Sequence, residues 1–420
     1  MKEGSYYIIA YTFFWIITYL YHRRSNKYFG SASFLLILNV IYGISSLMLY
    51  NDPILGYYKV TFWPFVYLYV AELIILLPLL RYRDYKIDQI EDVNIKLVKT
   101  YSYIYVISAI LRFPTIFTHI STGVAILVSD IDGGNELYNA SHDMTYASVG
   151  FFESTAAIIY NVFTDLGVLM FFYLLSIKDR DPILRYGYIL AFIASLLLPI
   201  SMGLRTGVIM QSLTIIIAFI CMRQFLPKET SRKFIRYGSI VGGFILALFM
   251  MLSISRFSWR EGGTSTYFLS YAGQAPLNFN ENVLDAGGIR YGDRTANTFK
   301  QLLGYSNVPT TITGVRDKYP SLSIDDSLFT TFVGDFVLDY GPIVTMVIFI
   351  VFSLIIISIT KNRGPSIPFH KIIALYFVMC ILVQGGFYLF NYSFKNNYTI
   401  IAFVLTYFLF KGKSNLNFYG

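Results

Sequence analysis

Residues 342–359 read PIVTMVIFIVFSLIIISI and contain no charged side chain. A helix needs roughly 20 mostly apolar residues to cross the hydrocarbon core of a bilayer, where it must satisfy its own backbone polar groups. Similar apolar runs recur along the 420-residue chain, separated by short charged stretches. Only 14% of the residues are charged, against about 25% in a typical soluble domain. The sequence therefore predicts an all-α fold, a polytopic integral membrane helix bundle.

The apolar runs predict about eleven transmembrane helices, in a range of roughly ten to twelve. Eight fall in residues 1–255 and three in residues 336–420, and we expect residues 256–335 between them to form one large extracytoplasmic loop. The first run ends in His22-Arg23-Arg24 without a small-residue cleavage site, so it is expected to be a retained helix. The expected spans are 5–21, 32–50, 60–80, 101–118, 151–176, 185–203, 207–222, 238–255, 337–359, 371–390 and 398–410.

The basic residues indicate how the helices are oriented. The formal net charge is +8, and Lys and Arg concentrate in every second connection between apolar runs. Because cytoplasmic loops carry the excess of Lys and Arg, the alternation places the amino terminus outside and the carboxyl terminus inside. Topology explains the positive charge, and no nucleic-acid partner is expected. The basic connections contain Arg23, Arg24 and Lys27; Arg81, Arg83, Lys86, Lys96 and Lys99; Lys178, Arg180 and Arg185; Arg223, Lys228, Arg232, Lys233 and Arg236; Lys361, Arg363 and Lys371; and Lys411 and Lys413.

Four charged residues lie inside predicted spans or at their mouths, and a charge at the bilayer centre costs about 2.5 to 3.5 kcal/mol on insertion scales. Glu72 and Asp165 fall near mid-span, Arg112 in the outer half of its helix, and Arg205 at an outer mouth. An ion pair between helices, such as Arg112 with Glu72 or Asp165, explains the acids as well as a functional role does. For the two arginines a functional role is favoured.

Arginines accumulate on the outer side, where the positive-inside rule predicts few of them. A guanidinium group binds phosphate oxygens through two parallel hydrogen bonds, so the pyrophosphate of a lipid would balance this charge. The alternative is that the long loop folds on itself and pairs its arginines with its own acidic residues. That alternative is stronger for Arg290, Arg294 and Arg316 than for arginines at helix mouths. The outward arginines are Arg205, Arg256, Arg260, Arg290, Arg294 and Arg316.

Three features of the chain resemble the oligosaccharide repeat-unit polymerases of bacterial envelopes, also called O-antigen polymerases. They are the segment Ser201-Met-Gly-Leu-Arg205-Thr-Gly207 between two helices, the large outward loop that begins at Arg256, and Gly334-Asp-Phe-Val-Leu-Asp339-Tyr-Gly-Pro342. The resemblance covers most of the chain in architecture. It implies the joining of glycan repeat units carried on undecaprenyl pyrophosphate, at the outer face of the cytoplasmic membrane.

The resemblance implies glycosyl transfer without a nucleotide sugar. An acceptor hydroxyl attacks the anomeric carbon of the donor and lipid pyrophosphate leaves, while arginines stabilise the growing charge and a carboxylate or imidazole takes the proton. The implied partners are the lipid-linked donor and acceptor glycans, membrane lipid and a chain-length regulator protein, with no cofactor. Asp335 could instead cap a helix, and His142 could be a solvated loop residue. The catalytic candidates are Arg205, Arg256, Asp335, Asp339 and His142; the substrate-binding candidates are Arg112, Arg260, His119, Trp259 and Tyr340.

No metal site is expected, and two other functions remain open. Asp130-Ile131-Asp132 has the Asp-x-Asp spacing of a metal site, but Gly133 and Gly134 follow it, which is more typical of a turn. A flippase or other transporter for the same lipid-linked glycans would explain the mid-span acids, although such proteins usually show two related halves. A ligase that moves a finished glycan to another acceptor shares the architecture. Related ligases use a histidine in the large outer loop, and residues 256–335 contain none.

Overall fold

The computed structural model describes residues 2–26, 28–55, 59–82, 86–120, 151–179, 181–201, 205–257, 263–323, 328–362, 364–387 and 392–414. Within these ranges helices dominate, which confirms the predicted all-α bundle. The helices are α1 (Ser5–Ser25), α2 (Ser31–Tyr50), α3 (Phe62–Arg81), α4 (Ile95–Ile110), α5 (Phe151–Ser176), α6 (Pro182–Ser201), α7 (Arg205–Met222), α8 (Lys228–Phe257), α9 (Gly263–Asn278), α10 (Asn297–Leu302), α11 (Ile312–Lys318), α12 (Thr331–Tyr340), α13 (Pro342–Thr360), α14 (Phe369–Gln384) and α15 (Asn397–Ser414). A single two-residue parallel pair joins β1 (Gln89–Ile90) to β2 (Ser366–Ile367) in the described part of the chain.

Seven helical segments among the described residues are long and apolar enough to cross a membrane, so the chain is a multi-pass membrane protein. Two shorter apolar helices, Phe369–Gln384 and Asn397–Gly412, match two further predicted spans. The predicted spans 5–21 and 238–255 are also helical, in α1 and α8, but are not among the seven. The seven are Ser31–Tyr50, Phe62–Arg81, Ile95–Ile120, Thr155–Ser176, Pro182–Pro199, Gly207–Phe225 and Pro342–Thr360.

The predicted span 337–359 is wrong at its start. Helix α12 ends at Tyr340, Gly341 has a left-handed backbone with φ of 79°, and α13 begins at Pro342. Glycine adopts that conformation at little cost and proline suits the first turn of a helix, so the chain turns there. The alternative that Asp335 caps a helix is also wrong, because α12 begins at Thr331 and Asp335 lies in its second turn.

The chain divides into two compact units, which are described separately. The first comprises Met1–Glu91 and Ser265–Gly420. In it, α1 packs against α2 and α3, α3 packs against α13 and α14, and α14 packs against α15. The short helix α12 packs against α13 and against a π-helical turn, Phe279–Val283, that follows α9.

One end of this unit brings the starts of α3 and α13 together with part of the predicted outer loop. The backbone N–H and C=O of Thr61, just before α3, exchange hydrogen bonds with the Asn280 side chain at 2.8 and 2.7 Å. Tyr67 in α3 donates a hydrogen bond to the Pro342 carbonyl at 2.7 Å. Helices α3 and α13 therefore run in the same direction, as the predicted alternation requires.

The other end of the first unit holds connections that were predicted to be cytoplasmic. Strand β1 follows α3, strand β2 follows α13, and the two pair in parallel register. Lys371 donates a hydrogen bond to the Lys361 carbonyl at 2.7 Å. Two of the basic connections thus lie at one end of the unit, and residue Asn280 of the outer loop lies at the opposite end. This separation agrees with the charge pattern of the sequence.

The second unit, Asp92–Thr264, is built on the packing of α4 against α5 and α6. Gly167 lies against the ring of Tyr105 and Gly187 against Val106, and a Cβ atom at either glycine would overlap its neighbour. Tyr188 adds a buried hydrogen bond to Ser102 at 2.8 Å. Small residues that let helices approach closely are the usual means of helix association within a bilayer.

Candidate functional site

Part of the predicted outer loop folds onto helix α12. We call residues 265–323 the folded loop. The backbone N–H of Arg290 donates to the Leu338 carbonyl at 2.8 Å, and the chain then turns through Tyr291 and Gly292, whose φ angles are 52° and 80°. A Cβ atom on Gly292 would lie 2.8 Å from the Tyr340 hydroxyl. The backbone conformation and the nearby Tyr340 hydroxyl both favour glycine at this position.

Two arginines of this turn pair with two aspartates of α12. Arg290 Nε lies 2.7 Å from Asp339 Oδ1, and Arg290 Nη2 donates to the Asp335 carbonyl at 3.0 Å. Arg294 Nη1 lies 3.2 Å from Asp335 Oδ1. Arg290, Asp335 and Asp339 are 0% exposed and Arg294 is 3% exposed. We call these four residues the inner charge cluster, in which two positive and two negative charges balance, as buried charges require.

Local sequence spacing explains why the inner charge cluster can form. Asp335 and Asp339 are four residues apart in a helix, so their side chains lie on one face. Asp339 Oδ2 also accepts hydrogen bonds from the backbone N–H and the hydroxyl of Thr295, both at 2.7 Å. These bonds satisfy the carboxylate oxygen that Arg290 does not contact, which a buried carboxylate needs.

A second group of charges lies beside the inner cluster, around Asp293. Its carboxylate contacts the ammonium of Lys300, the ammonium of Lys318 at 2.7 Å and the hydroxyl of Tyr319 at 2.8 Å. Asp293 itself is 0% exposed. Burial raises the pKa of the Asp293 carboxyl, but the three hydrogen-bond donors outweigh it and the net pKa is below its usual value. Burial and the Asp293 contact raise the pKa of the Tyr319 phenol.

Asp293→Asn is expected to lower thermal stability, because it removes the negative charge that pairs with the ammonium groups of both Lys300 and Lys318. The Asp293 pKa is lower in the folded than in the unfolded chain, where it is about 3.9, so its ionised form stabilises the fold above that pH. This contribution is lost as pH falls through the folded-state pKa. The variant should therefore differ most from the natural protein near neutral pH and least in acid. Melting curves over pH test this, with exposed Asp317→Asn as control; equal melting temperatures at neutral pH would contradict it.

The inner charge cluster and the loop residues Thr295 and Thr298 lie at the starts of apolar helices in the first unit. Asp339 precedes by three residues Pro342, where the span Pro342–Thr360 begins. Asn397, the first residue of α15, accepts a hydrogen bond from the Thr298 N–H at 3.0 Å and donates to the Thr295 carbonyl at 2.9 Å. The folded loop is thus fixed to the ends of two apolar helices through polar contacts that are themselves buried.

The structure places the predicted acids Asp335 and Asp339 where a substrate hydroxyl does not reach them, since neither is exposed to solvent. In this conformation they hold arginines. The expectation that the loop pairs its own arginines with acidic residues is confirmed for Arg294, whereas Arg290 pairs with Asp339, beyond the predicted end of the loop at residue 335. Arg316 lies exposed on α11. The predicted binding residue Tyr340 is half-buried, with its hydroxyl 3.2 Å from that of Thr295.

Other predicted residues lie in the second unit or outside the described residues. Arg112 is half-buried with its guanidinium 5.7 Å from the centre of the Tyr160 ring, and His119 is buried near the end of the helical run Ile95–Ile120. Arg205 begins α7 and Arg256 lies in the last turn of α8, but their side chains are outside the described part of the structure. The same holds for the whole of His142, Trp259, Arg260, Asp130 and Asp132.

The two acids predicted near mid-span, Glu72 and Asp165, are both buried in helices. Glu72 is buried in α3, and the Tyr11 hydroxyl donates to its Oε2 at 3.5 Å. Asp165 is buried in α5 of the second unit. Among the residues that the structure describes, no group of three or more His, Cys, Asp or Glu side chains is arranged to hold a metal ion.

Sequence reasoning missed several residues that hold the folded loop in place. Asp293, Lys300 and Lys318 are 7 and 18 residues apart along the chain, so no short motif joins them. Asn397 reaches the loop from the far end of the sequence. The available signal was the matched spacing of Arg290 with Arg294 and of Asp335 with Asp339, four residues in both cases.

The function cannot be taken from a relative. Comparison of the chain with family models, with curated proteins and with solved structures found no match. The ion pairs and hydrogen bonds of the described site hold the folded loop at the ends of apolar helices. Lysine and tyrosine side chains at its surface could bind anionic or sugar groups.

Proposed function

We propose that the protein polymerises undecaprenyl-pyrophosphate-linked oligosaccharide repeat units into surface polysaccharide, such as O-antigen, capsule or exopolysaccharide. In this proposal it is a lipid-linked oligosaccharide-dependent glycosyltransferase of the cytoplasmic membrane. The amino terminus and the folded loop face outward, and the carboxyl terminus faces inward. Its partners are the donor and acceptor glycans, membrane lipid and a chain-length regulator protein.

The observation that carries the proposal is the fixed position of the folded loop. Buried ion pairs and hydrogen bonds attach it to the starts of apolar helices, at the end of the first unit opposite to two basic connections. A lipid-linked substrate presents its pyrophosphate at the membrane surface, where such a loop lies in this proposal. Half-exposed lysines and exposed tyrosines on the loop suit contacts with phosphate and sugar groups.

The proposed reaction forms one glycosidic bond and breaks one bond to phosphate. An acceptor hydroxyl attacks the anomeric carbon of the donor, and undecaprenyl pyrophosphate leaves with the bonding electron pair. Arg205, Arg256 and Arg260 are proposed to stabilise the charge on that leaving group. His142 is proposed to take the hydroxyl proton, because its near-neutral pKa suits a general base. Asp335 and Asp339 are proposed to be positioning residues for the arginines of the inner charge cluster.

Deleting the gene in its host and separating the surface polysaccharide on a gel tests the proposal. A polymerase deletion should leave single repeat units in place of a ladder of chain lengths. A full ladder that stays on the carrier lipid would instead indicate a ligase. A normal ladder on its final acceptor would refute all of these functions for this chain.

A glycan-lipid transporter is the second candidate, and the position of Glu72 favours it. A buried carboxyl near the middle of a membrane span is typical of proton-coupled transport. In a flippase deletion the lipid-linked repeat units should accumulate on the inner leaflet, out of reach of an impermeant glycosidase added to spheroplasts. In a polymerase deletion they should be accessible to it.

The proposed orientation predicts the labelling of introduced cysteines. A cysteine at exposed Gly288, beside Gly287 in the folded loop, should react with an impermeant thiol reagent in intact spheroplasts, and one at exposed Lys233 in α8 should not. The prediction follows from the asymmetry of Lys and Arg alone. The extent of labelling is measured with a mass-tagged thiol reagent before and after lysis of the spheroplasts. Lysis should make the cysteine at position 233 reactive. Reverse labelling would overturn the orientation.

A further inference from the structure

The end of α10 and the turn after it carry three large apolar side chains that the protein leaves uncovered. Leu302, Leu303 and Tyr305 are 66%, 78% and 61% exposed. Single exposed apolar residues are ordinary on a protein surface, but three within four positions form a patch, and such patches mark interaction sites. We call these three residues the apolar tip.

The backbone of the apolar tip is ordered, so its side chains are held outward. The N–H of Gly304 donates to the Gln301 carbonyl at 3.0 Å, and the N–H of Tyr305 donates to the Lys300 carbonyl at 3.1 Å. Gly304 has φ of 87°, the left-handed conformation that commonly ends a helix. These bonds fix the turn in a form in which the leucines do not fold back onto the protein.

The base of α10 is fixed close to the start of an apolar helix. Thr298 donates its hydroxyl to the Phe394 carbonyl at 2.7 Å and its N–H to the Asn397 side chain at 3.0 Å. Asn397 begins the apolar segment Asn397–Gly412. Leu303 is five residues from Thr298, about 8 Å along a helix. The apolar tip therefore lies within about 8 Å, along the α10 axis, of the residues that begin this apolar segment.

We propose that the apolar tip inserts into the lipid interface beside the helix ends and anchors the folded loop to the membrane. The side chains suit this partner, since leucines enter the acyl boundary and tyrosine prefers the interfacial layer. Lys300, held by its ion pair with Asp293, lies with its ammonium 5.7 Å from the centre of the Tyr305 ring and so fixes the position of that ring. Ile343, in the first turn of the membrane-spanning helix Pro342–Thr360, is 79% exposed, which is as exposed as Leu303 in the apolar tip.

The anchor would keep the folded loop against the membrane surface whatever reaction the protein catalyses. It goes beyond the proposed function and does not depend on it, because lipid contact can be measured on the purified protein without substrate. A second copy of the chain is the competing occupant of the same patch, and the experiment below separates the two.

Site-specific fluorescence in lipid tests the anchor. In a background with Cys221→Ser and Cys380→Ala, Leu303→Cys is labelled with bimane and the full chain is reconstituted into vesicles with and without acyl-chain nitroxide lipids. Tyr305→Cys is a second probe in case the first variant folds poorly. Thr313→Cys, exposed on α11 of the same loop, is the matched control.

The expected result is a blue-shifted emission and a large loss of fluorescence in nitroxide lipid at positions 303 and 305, with little change at 313. Equal quenching at all three positions would overturn the assignment to the apolar tip. No quenching at 303 and 305 would overturn lipid insertion. Disulfide cross-linking of unlabelled Leu303→Cys between copies, together with no quenching, would identify a second copy as the partner instead.

Discussion

Replacing Arg205 by alanine is expected to remove nearly all polymerisation while leaving the protein in the membrane at its normal level. The residue begins α7 at a predicted outer mouth, where the distribution of basic residues gives no topological reason for a cation. If Arg205 binds the pyrophosphate of the lipid-linked substrate, loss of its hydrogen bonds to that group should slow the reaction by about a hundredfold or more. Arg205→Lys should lose much of the activity too, because lysine keeps the charge but not the planar fork.

Arg223, just after the opposite end of the helix that Arg205 begins, is a matched control for Arg205. Arg223 follows α7 directly, is exposed and belongs to a connection predicted to be cytoplasmic. Arg223→Ala should leave chain length unchanged. Chain-length distribution and membrane abundance are measured together, because a purely structural Arg205 would lower both in proportion. Normal long chains from Arg205→Ala would remove the residue from the proposed site.

Periodicity and charge were sufficient to predict the helix bundle, but they did not predict how the outer loop folds. Apolar runs of span length have few stable alternatives in lipid, so helices such as Phe62–Arg81 and Pro342–Thr360 could be read directly. The break at Gly341 was missed because residues before and after it are both apolar enough to continue a helix. One left-handed glycine decides that boundary.

The contacts that fix the folded loop could be predicted only in part. The alternative that the loop pairs its own arginines with acidic residues anticipated the pair of Arg294 with Asp335, whereas Arg290 pairs with Asp339, which lies beyond the predicted loop. Which arginine meets which aspartate depends on a turn formed at Tyr291 and Gly292, and sequence spacing does not encode that geometry. Asn397, about a hundred residues away, had no local pattern to reveal it.

The inner charge cluster gives the other large expected effect. Asp339→Leu leaves Arg290 buried without the carboxylate that lies 2.7 Å from it, and breaking a buried pair in this way costs about 3 to 5 kcal/mol. The variant should show a lower melting temperature and lower abundance in the membrane. Combining it with Arg290→Met should recover part of the loss, because neither charge of the pair is then left buried alone. Recovery stays incomplete because the Thr295 N–H and hydroxyl still lose their acceptor.

A surface pair of the same length is the control for this experiment. Lys233 and Glu229 are also 2.7 Å apart, four residues along α8, and both are exposed. Glu229→Gln should leave the melting temperature unchanged, because exposed pairs are screened by water and salt. If Asp339→Leu is equally silent, the buried pair does not hold the folded loop.

The Arg290→Met, Asp339→Leu double variant also separates a positioning role from a chemical one. If Asp339 only fixes the folded loop, the double variant should regain polysaccharide chain length together with stability, since the loop returns to its place without the charges. If Asp339 accepts the acceptor proton in a more open conformation, the double variant should regain stability and abundance but still produce single repeat units. Full burial of the carboxylate favours the first result. Recovery of stability without activity would return Asp339 to the list of candidate bases.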